Sequence, residues 1–309
     1  MIVTVTLNPA LDLTYTVDAL TPHATHRVTE VAARPGGKGL NVAGVLHALG
    51  EPVLATGILG GGTGAEITAL LDRAGPPASF VTAPIESRRT VAVVDGTDAT
   101  GFWEPGPTLP AASWEAFVGH FRTLLPRASV VALCGSLPPG IRPDGYAVLT
   151  LLAEQHGVPV ILDTSGTALR EGLAARPHIV KPNAAELADL LPGDGTSRGR
   201  AERILERGAR AVVASAGADG LTAVTRRGSW RARPPEFVAG NPTGAGDACV
   251  AALARGLRDR TPWPELLPDA VALSAAAVAA PVGGSFDPAT YERVRAAAVV
   301  EALPRSTAP

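Results

Sequence analysis

Apolar residues along this chain gather into short runs of Val, Ile, Leu and Ala: IVTV near the N-terminus, then VLATGIL, SVVALC, VPVILD, HIVK and RAVVAS. Most runs are followed by a Gly- or Pro-marked loop and then by apolar positions at helical spacing. Near-continuous β-branched runs of this length are strands buried on both faces. Their alternation with helical patterns predicts repeated βα units, hence an α/β fold with a doubly wound, mostly parallel sheet flanked by helices. The helical periodicity covers 41–49, 64–74, 143–155, 201–207, 244–257 and 264–280.

Two stretches break the rhythm. Positions 12–34 and 88–104 alternate with period two and lead into no helix, and the second contains the turn-rich DGTDATG. They predict a small antiparallel β-sheet inserted into the main domain, either a lid over a site or a contact between two copies. The expected division is therefore 1–11, 35–87 and 105–309 for the main domain, and 12–34 and 88–104 for the lid. The tail PRSTAP is expected to be disordered.

Composition narrows the partners. A chain of 309 residues holds one large α/β domain with a smaller appendage. A net charge of −2, a pI near 6.3 and no run of more than three like charges give nothing in favour of a nucleic-acid or anionic-membrane surface and point to a small molecule. MIVTVTLNP lacks the pattern of a signal peptide, and no apolar run approaches a membrane span, so a soluble, cytoplasmic protein is expected. Cys134 and Cys249 lie among apolar residues, as reduced buried thiols do. Of 27 basic residues only Lys38 and Lys181 are lysine, and both fall in Gly- or Pro-punctuated loops. A compact ammonium at a phosphate is not always replaceable by Arg, which marks both as candidate site residues.

Ligands of open α/β sheets bind outside the carboxyl ends of the strands. Here polar or Gly-rich signatures fall at that position six times: LNPALD, GSLPPG, DTSG, KPN, SAGADG and NPTGAGD. Together they predict one site along a single sheet edge. In NPTGAGDACV, Gly244, Ala245 and Gly246 let the amides opening the next helix approach a ligand, and a helix N-terminus favours an anion. Asp247 then reads either as a cap in the first turn or as a base taking a proton from a hydroxyl beside the bound phosphate.

Phosphoryl transfer needs a phosphate cradle, cations and a base. Lys38 in PGGKGLNVA opens a helix from another Gly-rich turn, with Asn41 one turn on; GGKG also reads as a plain loop. KPNAAEL sets Lys181, Asn183 and Glu186 at a strand-to-helix turn. Asn183 and Glu186 share a helix face, and either form a capping box or, through Glu186, position a hydrated Mg²⁺. No G-x-x-x-x-G-K-[ST] is present, which excludes a Walker-type NTPase. GGGTGAE imitates a dinucleotide fingerprint, with Ala65 third and Glu86 near the distance of a ribose-binding acid. That acid follows Pro84, and the chain then enters the predicted lid, so a nicotinamide enzyme is the weaker reading.

TLNPALD, PGGKGLNVA, TGILGGGTG, EPGP, GSLPPG, KPNAAEL, SAGADG and NPTGAGDA, in this order and spacing, resemble the PfkB (ribokinase-like) carbohydrate kinases, in the branch of 1-phosphofructokinases and tagatose-6-phosphate kinases. The resemblance runs from residue 2 to about residue 290. It implies a ribokinase-like fold and an ATP-dependent, Mg²⁺-requiring phosphotransferase with an alcohol acceptor, converting fructose 1-phosphate to fructose 1,6-bisphosphate. Tagatose 6-phosphate and fructose 6-phosphate are the alternative substrates, and a non-catalytic sugar-phosphate binding protein is the alternative class.

By position the resemblance implies Asp247 as base and the amides of Gly244, Ala245 and Gly246 as anion hole. Asp12, Gly37, Lys38 and Asn41 would hold the sugar, and Arg27, Arg88 and Ser136 the phosphate already on it. Lys181, Asn183, Ser215, Gly217 and Gly220, with Gly244 and Gly246, would contact the nucleotide, and Glu186 the Mg²⁺. A homodimer through the lid is also implied. The lid of this branch reads roughly Thr-Arg-x-Asn-x-Lys, whereas here it is SRRTVAV, with Thr90 and Ala92 in place of Asn and Lys. That departure makes the substrate less secure than the reaction. Asn241 stands where ribokinases themselves carry an Asp tied to a monovalent-cation site, which disfavours a pentose or nucleoside acceptor and leaves K⁺ dependence open.

His120, His156 and His178 are dispersed without metal spacing and read as structural. Arg226, Arg227, Arg231 and Arg233 flank GSW, a hairpin turn with a solvated, charged face. Phe102 and Trp103 pack either within the lid or at a dimer contact.

Overall fold

A computed structural model describes residues 1–96 and 98–304; the tail beyond Pro304, expected to be disordered, lies outside the described residues. The chain begins with β1 (Ile2–Thr6), β2 (Ala10–Thr16), β3 (Glu30–Gly36), α1 (Lys38–Ala48), β4 (Val53–Leu59), α2 (Gly61–Ala74), β5 (Ala78–Thr82), β6 (Arg88–Val94) and β7 (Ala99–Trp103). It continues with α3 (Ala111–Leu124), β8 (Val130–Cys134), α4 (Gly145–Gln155), β9 (Val160–Asp163), α5 (Gly166–Gly172), β10 (Ile179–Val180), α6 (Ala184–Leu190), α7 (Ser197–Glu206) and β11 (Ala211–Ser215). The last part holds β12 (Leu221–Thr225), β13 (Ser229–Arg233), α8 (Ala245–Asp259), α9 (Trp263–Ala279), α10 (Pro288–Ala297) and β14 (Val299–Leu303).

Ten strands form the main sheet in the order β14-β13-β12-β11-β10-β9-β8-β1-β4-β5, parallel from β11 to β5 and antiparallel from β11 outward to β14. All six apolar runs of the sequence are strands of its parallel part. β1 is buried along its whole length because its alternate side chains feed two cores. Ile2 joins Val130, Ile161 and the helices α1, α8 and α9 on one face; Val3 and Val5 join Val131, Leu133 and Phe117 on the other. Ala248, Ala251, Ala252 and Ala254 of α8 are fully buried, so the alanine-rich sequence serves close approach of α8 to its neighbours.

The hairpin expected around GSW is present, but its turn is Arg226, Arg227 and Gly228, closed by the Thr225 amide donating to the Gly228 carbonyl at 2.9 Å; Ser229 and Trp230 belong to β13.

The second sheet has the order β3-β2-β6-β7. Both edge pairs are antiparallel as expected, while the central pair β2–β6 is parallel. The reason lies in the main sheet: β2 follows β1 and β6 follows β5, and β1 and β5 run the same way. Both excursions therefore leave one edge in one direction. Leu13 and Ala33, on one face of this second sheet, pack against the main core. Asp12, Arg34 and Thr90, paired across the strands, share the opposite face.

Candidate active site

The carboxyl ends of β1, β8, β9, β10 and β11 meet the N-termini of α1, α6 and α8 at one edge. Asp163 closes β9 there, a strand end that DTSG marked, though sequence reading gave this residue no role. Its Oδ1 lies 3.2 Å from Lys38 Nζ and 3.3 Å from Lys181 Nζ. Its Oδ2 is buried with no hydrogen-bond partner. A buried acid at a strand end requires a cation, and the two lysines of the sequence supply it. Lys38 also approaches Glu186 Oε1 at 3.6 Å. Burial is the largest single influence on both lysines and would lower them, but the surrounding acids together outweigh it, Asp163, Glu186 and Asp247 at Lys38 and Asp163, Cys249 and Glu186 at Lys181, so both remain ammonium ions. Lys181, expected at the nucleotide, is 3% exposed and turned toward Asp163.

α8 opens from Gly244, whose φ of 88° and ψ of −8° lie in the left-handed region that favours glycine. A Cβ on Gly244 would meet Gly283 Cα at 3.0 Å, and one on Gly246 would meet Lys181 Nζ at 3.3 Å. The amide end of α8 thus faces a buried ammonium, and both features draw an anion. Asp247, 6% exposed, does not cap the helix: its carboxylate accepts from Asn41 Nδ2 at 2.8 Å. Burial pushes Asp247 up to about 7, with the charge of Asp163 adding and Asn41, Lys38 and Lys181 opposing. Asn41 reaches it because Gly37, at φ 117°, turns the chain into α1 beneath α8.

On the second sheet Asp12 accepts a hydrogen bond from the Thr90 hydroxyl and faces Arg34 across the β2–β3 ladder. Burial raises its pKa, against Thr90, Arg34 and Arg88. Arg88 donates to the carbonyls of Asn8 and Glu104, each at 3.1 Å, and Arg34 to that of Gly283 at 3.2 Å. Arg27 is exposed in the β2–β3 connection and makes no hydrogen bond or ion pair among the described residues, so the structure brings Arg34, not Arg27, to Asp12. Sequence reading missed Arg34 because only the strand register reveals it. Ser136 accepts from Asn8 Nδ2 at 3.1 Å and borders a cavity of ≈ 400 Å³ shared with Thr164 and Ser165; Asp247 and both lysines lie outside that cavity.

Asn183 and Glu186 form a full capping box on α6, each side chain bonded to the other's amide at 2.8 Å. Ser215 bridges to Asn183 from the end of β11. Gly217 and Gly220 follow with φ 57° and 85°, and a Cβ on Gly220 would strike the Ala232 carbonyl at 2.1 Å. Glu86 has a structural use: its carboxylate accepts from the Gly62 and Thr63 amides at 3.1 and 2.7 Å and occupies the N-terminus of α2, where a dinucleotide would need its pyrophosphate. No cluster of three or more His, Cys, Asp or Glu able to hold a metal occurs among the described residues.

A helix N-terminus facing a buried ammonium, with a buried carboxylate in its first turn, suits a phosphotransferase acting on a sugar hydroxyl, and the sheet with its side lid is the ribokinase-like fold. Residues 5–289 match the pfkB family of carbohydrate kinases, and the chain belongs to that family. It is similar to the phosphofructokinase-2 of Escherichia coli in complex with potassium (27% identity, TM-score 0.88, covering 96% of this chain and 98% of that one). A possible 1-phosphofructokinase of Thermotoga maritima is similar at 26% identity and TM-score 0.88, covering 98% and 99%. A putative phosphofructokinase of Staphylococcus aureus matches at 25% and 0.84, covering 98% and 99%.

Proposed function

We propose that this sugar kinase is an ATP-dependent, cytoplasmic 1-phosphofructokinase that converts fructose 1-phosphate to fructose 1,6-bisphosphate and forms a homodimer through its lid. The observation that carries the reading is Asp247, buried at the open end of α8 and held by Asn41 rather than by its own helix.

In this mechanism Asp12 and Asn41 hold ring hydroxyls and orient the acceptor, and Arg88 and Ser136 take the phosphate already on the sugar. Asp247 removes the proton from the attacking hydroxyl. The amides of Gly244 to Gly246 and the Lys38 ammonium stabilise charge on the transferring phosphoryl group. Asn183, Ser215, Gly217 and Gly220 support the nucleotide. Mg²⁺ fits the oxygen donors present, since a hydrated ion needs only one or two carboxylates and Asp163 Oδ2 is buried without a partner. Asp163 and Glu186 would hold it, and it would neutralise phosphate charge.

A second reading, fructose 6-phosphate or tagatose 6-phosphate as acceptor, stands because Thr90 and Ala92 replace the lid Asn and Lys of the branch, and fructose 6-phosphate has the further support of a phosphofructokinase-2 of Escherichia coli solved in complex with fructose-6-phosphate (28% identity). ADP release with Mg·ATP, with and without K⁺, against fructose 1-phosphate, fructose 6-phosphate, tagatose 6-phosphate, fructose and ribose decides between them. Turnover is expected with fructose 1-phosphate and not with Asp247→Asn. Preferential turnover of another phosphosugar moves the substrate, and phosphosugar binding without turnover makes the protein a binder.

A further inference from the structure

At the amino ends of the parallel strands, on the side of the main sheet away from Asp247, lies a cavity of ≈ 750 Å³. Its walls carry four guanidinium groups, Arg176, Arg210, Arg226 and Arg227, and the stacked indoles of Trp230 and Trp263, with centroids 6.3 Å apart and planes at 18°. The residues converge from separate elements: Arg226 and Arg227 from the β12–β13 turn, Arg210 from the entry to β11, Trp263 from the start of α9. Arg210 alone has a counterion, Glu154 Oε1 at 2.5 Å, which also lines the cavity. The side chains of Arg176, Arg226 and Arg227 make no hydrogen bond or ion pair among the described residues. Three guanidinium charges in a chain of net charge −2 are thus left uncompensated around one concavity.

Each part of this wall has a ligand chemistry. Guanidinium groups stay charged at any physiological pH and bind phosphate through paired donors, and indoles offer a flat apolar face. The volume falls within that of small-molecule sites. We propose that the cavity is a second ligand site, separate from the kinase centre, that takes a nucleoside phosphate, with its phosphates on the unpaired arginines and its base against the Trp230–Trp263 wall. It uses no residue of the kinase centre and does not depend on which sugar is phosphorylated.

Calorimetric titration of the intact protein with ADP, pyrophosphate and adenosine tests this, alongside the double variant Arg226→Ala/Arg227→Ala, whose altered side chains are exposed and unpartnered. Two ADP sites per chain are expected, one of them weakened about tenfold or more by the double variant, equivalent to about 1.4 kcal/mol, with the other site and the kinase rate unchanged. At that variant-sensitive site, ADP should bind at least about tenfold more tightly than pyrophosphate or adenosine. A single ADP site per chain, or a second one indifferent to the variant, overturns the proposal. Pyrophosphate or adenosine binding there as tightly as ADP overturns the ligand class.

Discussion

Two carboxylates and two lysines at the proposed catalytic edge set one another's charge. Lys38 and Lys181 share one oxygen of Asp163, while Asp247, close by, is driven up to about 7 by burial and then by Asp163. A general base works only when ionised, so kcat/KM should fall as pH drops through about 7. Stability runs the other way. With a folded value raised above the ordinary 3.8, the stability associated with the neutral carboxyl is complete below 3.8 and is lost as pH rises to about 7. Asp247→Asn removes that titration. Its melting temperature, measured beside the parent chain, should gain progressively between pH 4 and pH 7 and hold a constant lead above, while kcat falls by about 10²- to 10⁴-fold. A difference independent of pH would mean that Asp247 is ionised throughout and carries no such displacement. At this scale the sequence showed residues announced by Gly-rich turns, Lys38, Asn41 and Asp247 among them. Asp163 and Arg34 were hidden, because their partners lie 125 residues away for Lys38–Asp163 and across a strand register for Arg34–Asp12.

In the proposed mechanism short elements carry the nucleotide side, and the cap of α6 also borders Lys38. α6 has seven residues and begins with the Asn183–Glu186 capping box, while Glu186 also borders Lys38 at 3.6 Å. Capping and ligand positioning, which looked like alternatives in KPNAAEL, are compatible because Glu186 uses Oε2 for the cap and Oε1 toward the lysine. Asn183→Ala should cost about 1 kcal/mol by thermal denaturation and raise the KM for ATP. Asn183→Ser should restore the stability, since serine caps as well, yet leave the KM high because it lacks the amide. Recovery of both by serine would assign Asn183 to the cap alone. The central strands were legible because burial on both faces gives unbroken apolar runs. The two-residue β10 was readable only beside KPN, and seven residues in α5 are too few for periodicity. β5 and β14 are edge strands with exposed positions, which dilute the apolar signal. α10 buries only Thr290, Tyr291 and Val294. α3 was the avoidable omission: Ser113, Phe117 and Phe121 recur at helical spacing just after Pro110.

Across the whole molecule, the lid divides its two faces between chemistry and packing. Register places Asp12, Arg34 and Thr90 on one face, and Leu13, Ala33, Val91 and Phe102 in a row on the other. Leu13 and Ala33 are covered by the main core, but Val31 at 60% and Phe102 at 58% exposure are not. Period-two alternation made the lid legible, whereas the parallel β2–β6 pair depends on where β1 and β5 end in the main sheet, which no local pattern encodes. A four-stranded sheet with an apolar face needs cover, and the proposed lid dimer provides it with the same face of a second copy. Sedimentation should therefore report twice the 31.4 kDa chain mass. Val31→Glu/Phe102→Glu places two charges in that contact and should yield a folded monomer. Since Asp12 and Thr90 sit on the strands the dimer steadies, the monomer's acceptor KM should rise by about tenfold or more, about 1.4 kcal/mol of binding. ATP affinity, which the proposed mechanism assigns to α6, β11 and α8, should be unchanged. A fully active parent chain that sediments as a monomer would remove the dimer and leave Val31 and Phe102 as solvent-facing lid residues.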